Sequence, residues 1–108
     1  MDITEFDQLA SSLAGVRQRC RGGLMQWHHA GRLVARQLDD TRVVVRAPFD
    51  TRDLLLQQFP DTFTVPARFQ KHMMVVADLA EGSADAIEDA IVSAWRFQTR
   101  TGSKDDES

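Results

Sequence analysis

The stretch Arg42-Val43-Val44-Val45-Arg46 predicts a β-strand with two unlike faces. Side chains in a strand alternate with a period of two. One face therefore carries Val43, Val45 and Ala47, and the other carries Arg42, Val44 and Arg46. A sheet of this kind packs its apolar face on helices and leaves its arginine-bearing face free to meet a partner. The function has to be inferred from that surface, because no assembled catalytic motif stands out in the sequence.

Length and composition predict one globular domain. The chain has 108 residues, 43% of them hydrophobic, and a chain of this size buries roughly 60–70% of its surface around a single core. A single cysteine, Cys20, leaves no internal disulfide and is typical of a reducing, cytosolic setting. The first residues lack the pattern of a signal peptide, and no apolar run approaches the ~20 residues of a membrane span. We therefore expect a soluble, cytoplasmic protein that does not contact membranes.

Charge is unevenly distributed along the chain, although the net charge is only −3. Residues 1–16 carry three acidic and no basic residues. Residues 17–71 carry ten basic against five acidic residues, whereas residues 72–108 carry three basic against eight acidic ones. Phosphate affinity is mainly electrostatic, so an acidic protein is a poor general nucleic-acid binder, but a basic segment folded into a sheet forms a local patch. The alternative interpretation is an ordinary solvated surface.

Apolar periodicity and turn residues predict the order α, three strands, α, two strands, α. The predicted helices cover residues 3–14, about 50–59, and 84–100. Their predicted N-terminal caps are Asp2 with Glu5, Asp50 and Ser83, and the predicted apolar stripe of the second helix is Leu54, Leu55 and Phe59. The predicted strands cover residues 24–29, 32–38, 42–47, 62–65 and 72–79, and residues 16–21 could also be extended. The polar, acidic tail at residues 101–108 is predicted to be disordered. The order indicates an α+β fold over residues 1–100, a two-layer sandwich of an antiparallel or mixed sheet with helices on one face.

Several short motifs follow one another along this pattern. They are Gly31-Arg32-Leu33-Val34-Ala35-Arg36, Val43-Val44-Val45-Arg46-Ala47-Pro48, Arg52-Asp53-Leu54-Leu55 with Pro60-Asp61-Thr62-Phe63, and Met74-Val75-Val76 with Ala94-Trp95-Arg96. In this order they resemble the hairpin, the strand before proline, the short helix with its exit, and the late strand and final helix of the MmcQ/YjbR family. These are small bacterial proteins that are often labelled DNA-binding. The resemblance covers about residues 3–100.

The resemblance implies an α+β fold akin to that of type III secretion chaperones. It also implies nucleic-acid binding, and it brings no catalytic residues to carry over. The chain departs from the family pattern at Arg32, where a lysine is usual, and at residues 20–23, which lack a common Trp-Gly segment.

Basic residues and an indole are predicted to share one face of the sheet. A two-residue loop at residues 30–31 would place Trp27 on the same face as Arg32 and Arg36. Arginine clamps phosphate through two hydrogen bonds, and aromatic rings stack on exposed bases. With a three-residue turn at 39–41 and contributions from the opposite edge, the candidate nucleic-acid-binding residues are Trp27, Arg32, Arg36, Arg42, Arg46, Arg68 and Lys71. Arg17, Arg19 and Arg21 could extend this patch. In the alternative interpretation Trp27 and Val34 belong to the core, and the register does not hold.

The remaining reactive residues do not form a site in the sequence. His28 and His29 point to opposite faces of a strand, so they cannot chelate one ion together with His72. Cys20 lies between two arginines, a setting that favours a thiolate, but no partner base is evident. We expect no metal, no cofactor and no catalytic residues. The predicted function is non-enzymatic nucleic-acid binding by a monomer or homodimer. The alternative is a protein-interaction or chaperone-like adaptor that uses the exposed sheet face.

Overall fold

The computed structural model describes the backbone of residues 1–107 and the side chains of residues 1–100. Helices α1, α2 and α3 span Ile3–Ser11, Phe49–Gln58 and Ala84–Glu107, and a 3-10 turn spans Ala67–Phe69. Strands β1 to β6 span Val16–Arg21, Leu24–His29, Arg32–Gln37, Arg42–Arg46, Phe63–Thr64 and Met74–Asp78. The acidic tail at residues 101–108 lies outside the described side chains, and Ser108 also lies outside the described backbone. The predicted disorder of this tail therefore stays a prediction.

The six strands form one antiparallel sheet in the order β1-β2-β3-β4-β6-β5. The predicted α+β class is therefore confirmed. The chain has four strands before α2 where we predicted three, because Val16–Arg21 is a full strand. The most apolar strand, β6, is interior, as expected for a segment buried on both faces.

The main core lies between the sheet and the helices. One rung of the sheet, a row of residues paired across neighbouring strands, runs Gln18, Trp27, Ala35, Val45 and Val75, and the last four of these side chains are buried. From α1 and α3 the core receives Phe6, Ala10, Ile87, Ala90, Ile91 and Ala94. Val43, Val45 and Ala47 belong to the same cluster, so the apolar face predicted for β4 is confirmed.

Two of the three helices begin as the sequence predicts. Asp2 and Glu5 form a reciprocal capping box at α1, and the Ser83 hydroxyl accepts a hydrogen bond of 3.2 Å from the backbone N–H of Ala86. Helix α2 differs. Pro48 precedes its first residue and the helix has no side-chain cap, whereas the prediction gave that role to Asp50.

The apolar stripe of α2 also differs from the prediction. Leu54 is 54% exposed, so its predicted inward position was wrong. Leu55 and Phe59 pack on the core as predicted, and Leu56 joins them. Phe59 follows Leu55 by four residues and Leu56 by three, so these side chains share one helix face, and Leu54 lies outside it.

Two tight turns build the β1-β2-β3 half of the sheet. Gly22 and Gly23 connect β1 to β2, and both have positive φ, of 60° and 80°. Ala30 and Gly31 connect β2 to β3 with φ of 51° and 81°. Positive φ at both central residues is the mark of the type I′ turn, whose twist matches that of the flanking strands.

A β-bulge lies in the second of these hairpins. Trp27 pairs with Ala35 and His28 pairs with Leu33, so Val34 is an extra residue on β3. Val34 and Ala35 are both buried in the main core. The strict alternation along β3 is therefore lost at this point, and Arg32 before the bulge and Arg36 after it lie on opposite faces instead of the shared face that was predicted.

A second, smaller core lies on the other side of the sheet. It consists of Val44, Val76 and Phe69, with Leu38, Val65 and Met74 packed against it. Phe69 reaches the sheet from the 3-10 turn. The Arg52 guanidinium holds the segment after this turn, donating from Nη1 to the carbonyls of Gln70 at 3.1 Å and His72 at 2.8 Å. The segment therefore has a fixed position over the middle of the sheet.

Within the described residues, no helix is long and apolar enough to cross a membrane.

Candidate nucleic-acid interface

The side of the sheet opposite the main core carries the arginines, and we call it the arginine face. A second rung runs Arg19, Gln26, Arg36, Val44 and Val76 across five strands. Because this rung alternates with the Trp27 rung, it lies on the opposite side from the main core. The arginine face is defined by Arg17, Arg19, Arg21, Arg36, Arg42 and Arg46. The side chain of Arg68 joins it from the 3-10 turn.

Three residues of β1, the edge arginines Arg17, Arg19 and Arg21, form the outer part of this face. All three are exposed. Residues 8–38 contain no aspartate or glutamate, so the strand pairs with no acidic neighbour in this segment. In the described part of the chain, none of the three guanidinium groups forms an ion pair. The edge of the sheet thus presents positive charge without an internal counter-charge.

The inner arginines, Arg36, Arg46 and Arg68, lie around the second core. The guanidinium carbons of Arg36 and Arg68 lie 5.6 Å and 4.8 Å from the centre of the Phe69 ring, within the range of cation–π attraction. Arg36 pairs with Val44, and Arg46 follows two residues later on β4, so Arg36 and Arg46 are diagonal neighbours on one face. Arg36 and Arg68 therefore share one apolar platform, and Arg46 lies beside Arg36 on the same face.

Arg46 is the most confined of the inner arginines. It is half-buried, and burial lowers the pKa of its guanidinium below the ordinary value of an arginine. Its Nε is buried and has no hydrogen-bond partner within the described residues. An arginine keeps its charge at neutral pH. A buried, unbonded N–H of a cation is a costly group that an anion can satisfy.

Arg42 differs from the other members of the arginine face because it has a carboxylate partner. Its Nη2 lies 2.6 Å from Oδ2 of Asp39, and its Nε donates to the same oxygen at 2.8 Å. The hydrogen bond from Arg42 lowers the pKa of the Asp39 carboxyl. The turn at residues 39–41 has the predicted three residues, since the N–H of Leu38 donates to the carbonyl of Arg42 at 2.9 Å. Arg42 is on the predicted face, but its charge is used to close that turn.

Trp27 does not lie on the arginine face, and its predicted role as a stacking platform was wrong. Its side chain is 0% exposed. The ring meets Phe6 edge-on at 5.0 Å between centroids, and the indole Nε1 donates to the Asp7 carboxylate at 2.8 Å. The bulge at Val34 pairs Trp27 with Ala35, so Arg36 lies on the opposite side of the sheet and no longer shares a face with Trp27. The alternative in which Trp27 and Val34 are core is the one observed.

Arg32 is likewise separated from Arg36. It pairs with His29, and His29 pairs with Val16, which packs on the main core. Arg32 therefore lies on the core side at the tip of the β2-β3 hairpin, while Arg36 lies on the arginine face. Of the seven predicted residues, the structure brings together Arg36, Arg46 and Arg68. Lys71 is exposed three residues beyond Arg68.

Two contributors to this face were not identified from the sequence. Phe69 is the platform for Arg36 and Arg68, and its neighbours in sequence give no periodic signal for that role. His28 pairs with Arg17, and burial together with the charge of Arg19 lowers its pKa. The sequence offered His28 only as a candidate metal ligand. Its position in a strand that follows the alternating arginines of β1 could have indicated that its surroundings are positively charged.

The arrangement can bind anions through charge and hydrogen bonds. Among the described residues, no group of three or more His, Cys, Asp or Glu side chains comes together to hold a metal ion. No family model, curated protein or solved structure matches this chain. The chemistry of the arginine face is therefore the basis for any functional inference.

Proposed function

We propose that the protein is a non-enzymatic nucleic-acid-binding module of the MmcQ/YjbR type that contacts phosphates through its arginine face. The observation that carries the proposal is the stacking of Arg36 and Arg68 on Phe69, with Arg46 diagonal to Arg36 on the same face and an edge strand of three further arginines. Bidentate guanidinium groups are suited to phosphate oxygens. The Nε of Arg46 is buried without a hydrogen-bond partner, so turning this guanidinium towards a bound phosphate relieves an unpaired donor.

The burial of Trp27 sharpens the expected mode of binding. Phe69 is also buried, under Arg36 and Arg68, so the ring at the centre of the arginine face is not open to base stacking. Contacts to phosphates position a protein without reading sequence. The proposed activity is therefore independent of sequence and depends strongly on salt.

Charge on the opposite side supports a fixed orientation on the nucleic acid. Asp85, Glu88 and Asp89 lie in the first two turns of α3, which packs on the core side of the sheet. The acidic helices repel phosphate, while the arginine face attracts it. One side of the molecule thus meets the polyanion, even though the net charge is −3.

The test is a fluorescence anisotropy titration of labelled single- and double-stranded DNA at two salt concentrations. The double variant Arg36→Glu with Arg46→Glu is expected to bind more weakly. The slope of log affinity against log salt is expected to fall by roughly 0.9 per lost phosphate contact on duplex DNA. Because Arg46 is half-buried, Arg36→Gln with Arg46→Gln serves as a milder pair whose folding is checked by circular dichroism.

The matched control is Arg96→Glu with Arg100→Glu, two exposed arginines on α3. This pair makes the same change in net charge but lies on the core-side helix. Equal losses in both pairs would show that only net charge matters and would refute the assignment to the arginine face. Absence of DNA affinity at low salt would refute the proposed function as a whole.

A further inference from the structure

The outer edge of β1 is an open strand edge. Strand β1 is first in the sheet order, so it pairs with β2 on one side and with no strand of the described chain on the other. It is six residues long, and five of them are exposed. An edge of this kind presents N–H and C=O groups that a further strand can pair with.

The side chains along this edge have a definite pattern. The edge arginines occupy alternate positions and share the arginine face, while Gln18 and Cys20 point to the other side. Successive arginines are therefore about 7 Å apart along the strand. An extended polypeptide has the same repeat, so acidic side chains at every second residue match the arginines one to one, in either strand direction.

A second copy of the chain does not fit this edge. Pairing two β1 strands would place the arginines of one copy on the same face as those of the other, and like charges across strands are destabilising. Charged edge residues prevent self-association in this way and leave the edge open to a strand of opposite charge.

We propose that β1 binds an extended acidic segment of another protein by strand addition, with carboxylates at alternate residues facing Arg17, Arg19 and Arg21. This inference goes beyond nucleic-acid binding and gives the adaptor alternative a specific surface and a partner of stated chemistry. Main-chain pairing supplies affinity, and the three ion pairs supply selectivity for the acidic pattern. A polyanion that has no peptide backbone neutralises the three arginines but leaves the N–H and C=O groups of the open edge unpaired.

The first experiment compares two synthetic peptides of identical composition. In one, glutamates alternate with threonines; in the other, the glutamates form one block. Three matched cross-strand ion pairs are expected to give the alternating peptide roughly tenfold tighter binding, measured by fluorescence anisotropy. Methylating the backbone nitrogens that face β1 should abolish this advantage, whereas methylating those on the other edge should preserve it.

Cys20 reports the position of the bound peptide. It is exposed and is the single cysteine of the chain. A peptide cysteine activated as a mixed disulfide with a small thiol is attacked by the Cys20 thiolate, which forms a new disulfide and releases the small thiol. Cross-linking is expected when the activated cysteine lies between two glutamates, because that position faces the Cys20 side of the sheet. It should be much slower when the cysteine replaces a glutamate.

Protein variants complete the test. Arg17→Glu with Arg19→Glu is expected to remove peptide binding, while Arg96→Glu with Arg100→Glu keeps it. The proposal is overturned if both peptides bind equally, if methylation on either edge has the same effect, or if cross-linking does not follow the two-residue alternation. Any of these results would show that β1 attracts acidic peptides only through its overall positive charge. That is the same attraction that DNA phosphates would experience, and it needs no strand pairing. Failure of DNA binding leaves the peptide result standing, so the two proposals are tested separately.

Discussion

The two halves of the sheet treat their arginines differently. In the β4-β6-β5 half, Arg42 forms an ion pair with Asp39 and lies opposite Asp78 on β6. In the β1-β2-β3 half, residues 8–38 provide no carboxylate at all, and the edge arginines remain exposed. An exposed ion pair contributes little to stability, and an isolated surface charge contributes even less. The difference indicates that the edge arginines of the first half carry charge for a partner, whereas Arg42 in the second half uses its charge to close a turn.

The halves also differ in how they are attached to the helices. The second half is anchored by apolar residues on several strands, including Val43, Val45, Val75, Ala77 and Phe63. The first half contributes Val34 and Ala35 from β3 and Trp27 from β2, and Trp27 contacts Phe6 and Asp7 of α1. Because Trp27 is by far the largest of these three side chains, the first half is easier to break by a single substitution there.

The largest expected effect comes from Trp27→Ala. Removing a fully buried aromatic side chain costs about 3–5 kcal/mol of unfolding free energy. It also leaves the Asp7 carboxylate without its indole donor. Chemical denaturation followed by circular dichroism measures the loss. For a domain of this size, a loss of about 3–5 kcal/mol is a large share of the total free energy of unfolding.

The matched comparison is Val75→Ala, in the same rung but in the other half. A smaller loss is expected there, because fewer atoms are removed and the neighbouring valines remain. Equal losses would contradict the idea that the first half depends on Trp27. Trp27→Phe separates packing from the hydrogen bond, since it keeps most of the ring contact with Phe6.

A smaller effect is expected at the β2-β3 turn. Ala30 has φ of 51°, and this left-handed conformation costs an L-residue roughly 1–2 kcal/mol. Asparagine tolerates it better, and Asn-Gly is the preferred pair in a type I′ turn. Ala30→Asn is therefore expected to stabilise the protein by about 1 kcal/mol, measured by thermal unfolding.

The neighbouring Gly31 provides the opposite control. Its φ is 81°, so Gly31→Ala is expected to destabilise the protein by a similar amount, roughly 1–2 kcal/mol. If Ala30→Asn had no effect while Gly31→Ala was costly, Ala30 would not adopt the left-handed conformation. Both variants act on the first half of the sheet and leave the second half unchanged.

The sequence predicted the fold well where alternation is regular. Val43 and Val45 face the core and Val44 faces the other side, because a strand without bulges keeps its period of two. The capping residues of α1 and α3 were also predictable, since their hydrogen bonds are local. The α+β fold class followed from the order of helices and strands along the chain.

The candidate site could be predicted only in part. A bulge depends on how two strands pair, and a one-residue shift exchanges the faces beyond it. That shift turned Arg36 to the opposite side of the sheet from Trp27 and Arg32. Phe69 became part of the site through the 3-10 turn held by Arg52, a contact across 17 residues of sequence that no local pattern indicates.

The smallest expected effect concerns His28, which reports the charge of the first half. Burial, and to a lesser degree the Arg19 guanidinium, lowers its pKa below the ordinary 6.5. The folded protein therefore favours neutral His28. Its contribution to stability is present above pH 6.5 and is lost as the pH falls through the lowered pKa of the folded state. A titration followed by NMR is expected to show a pKa below 6.5.

Arg19→Gln should raise the pKa of His28, but not fully to 6.5, because burial is the larger cause and remains. The control variant Arg96→Gln, on α3, should leave it unchanged. An acidic peptide bound along β1 should also raise the pKa of His28, since its carboxylates neutralise Arg19, and this rise should shrink in the Arg19→Gln background. A pKa that does not respond to Arg19→Gln would mean that Arg19 and His28 do not share a face. The pairing of β1 with β2, on which both the arginine face and the open edge depend, would then be wrong.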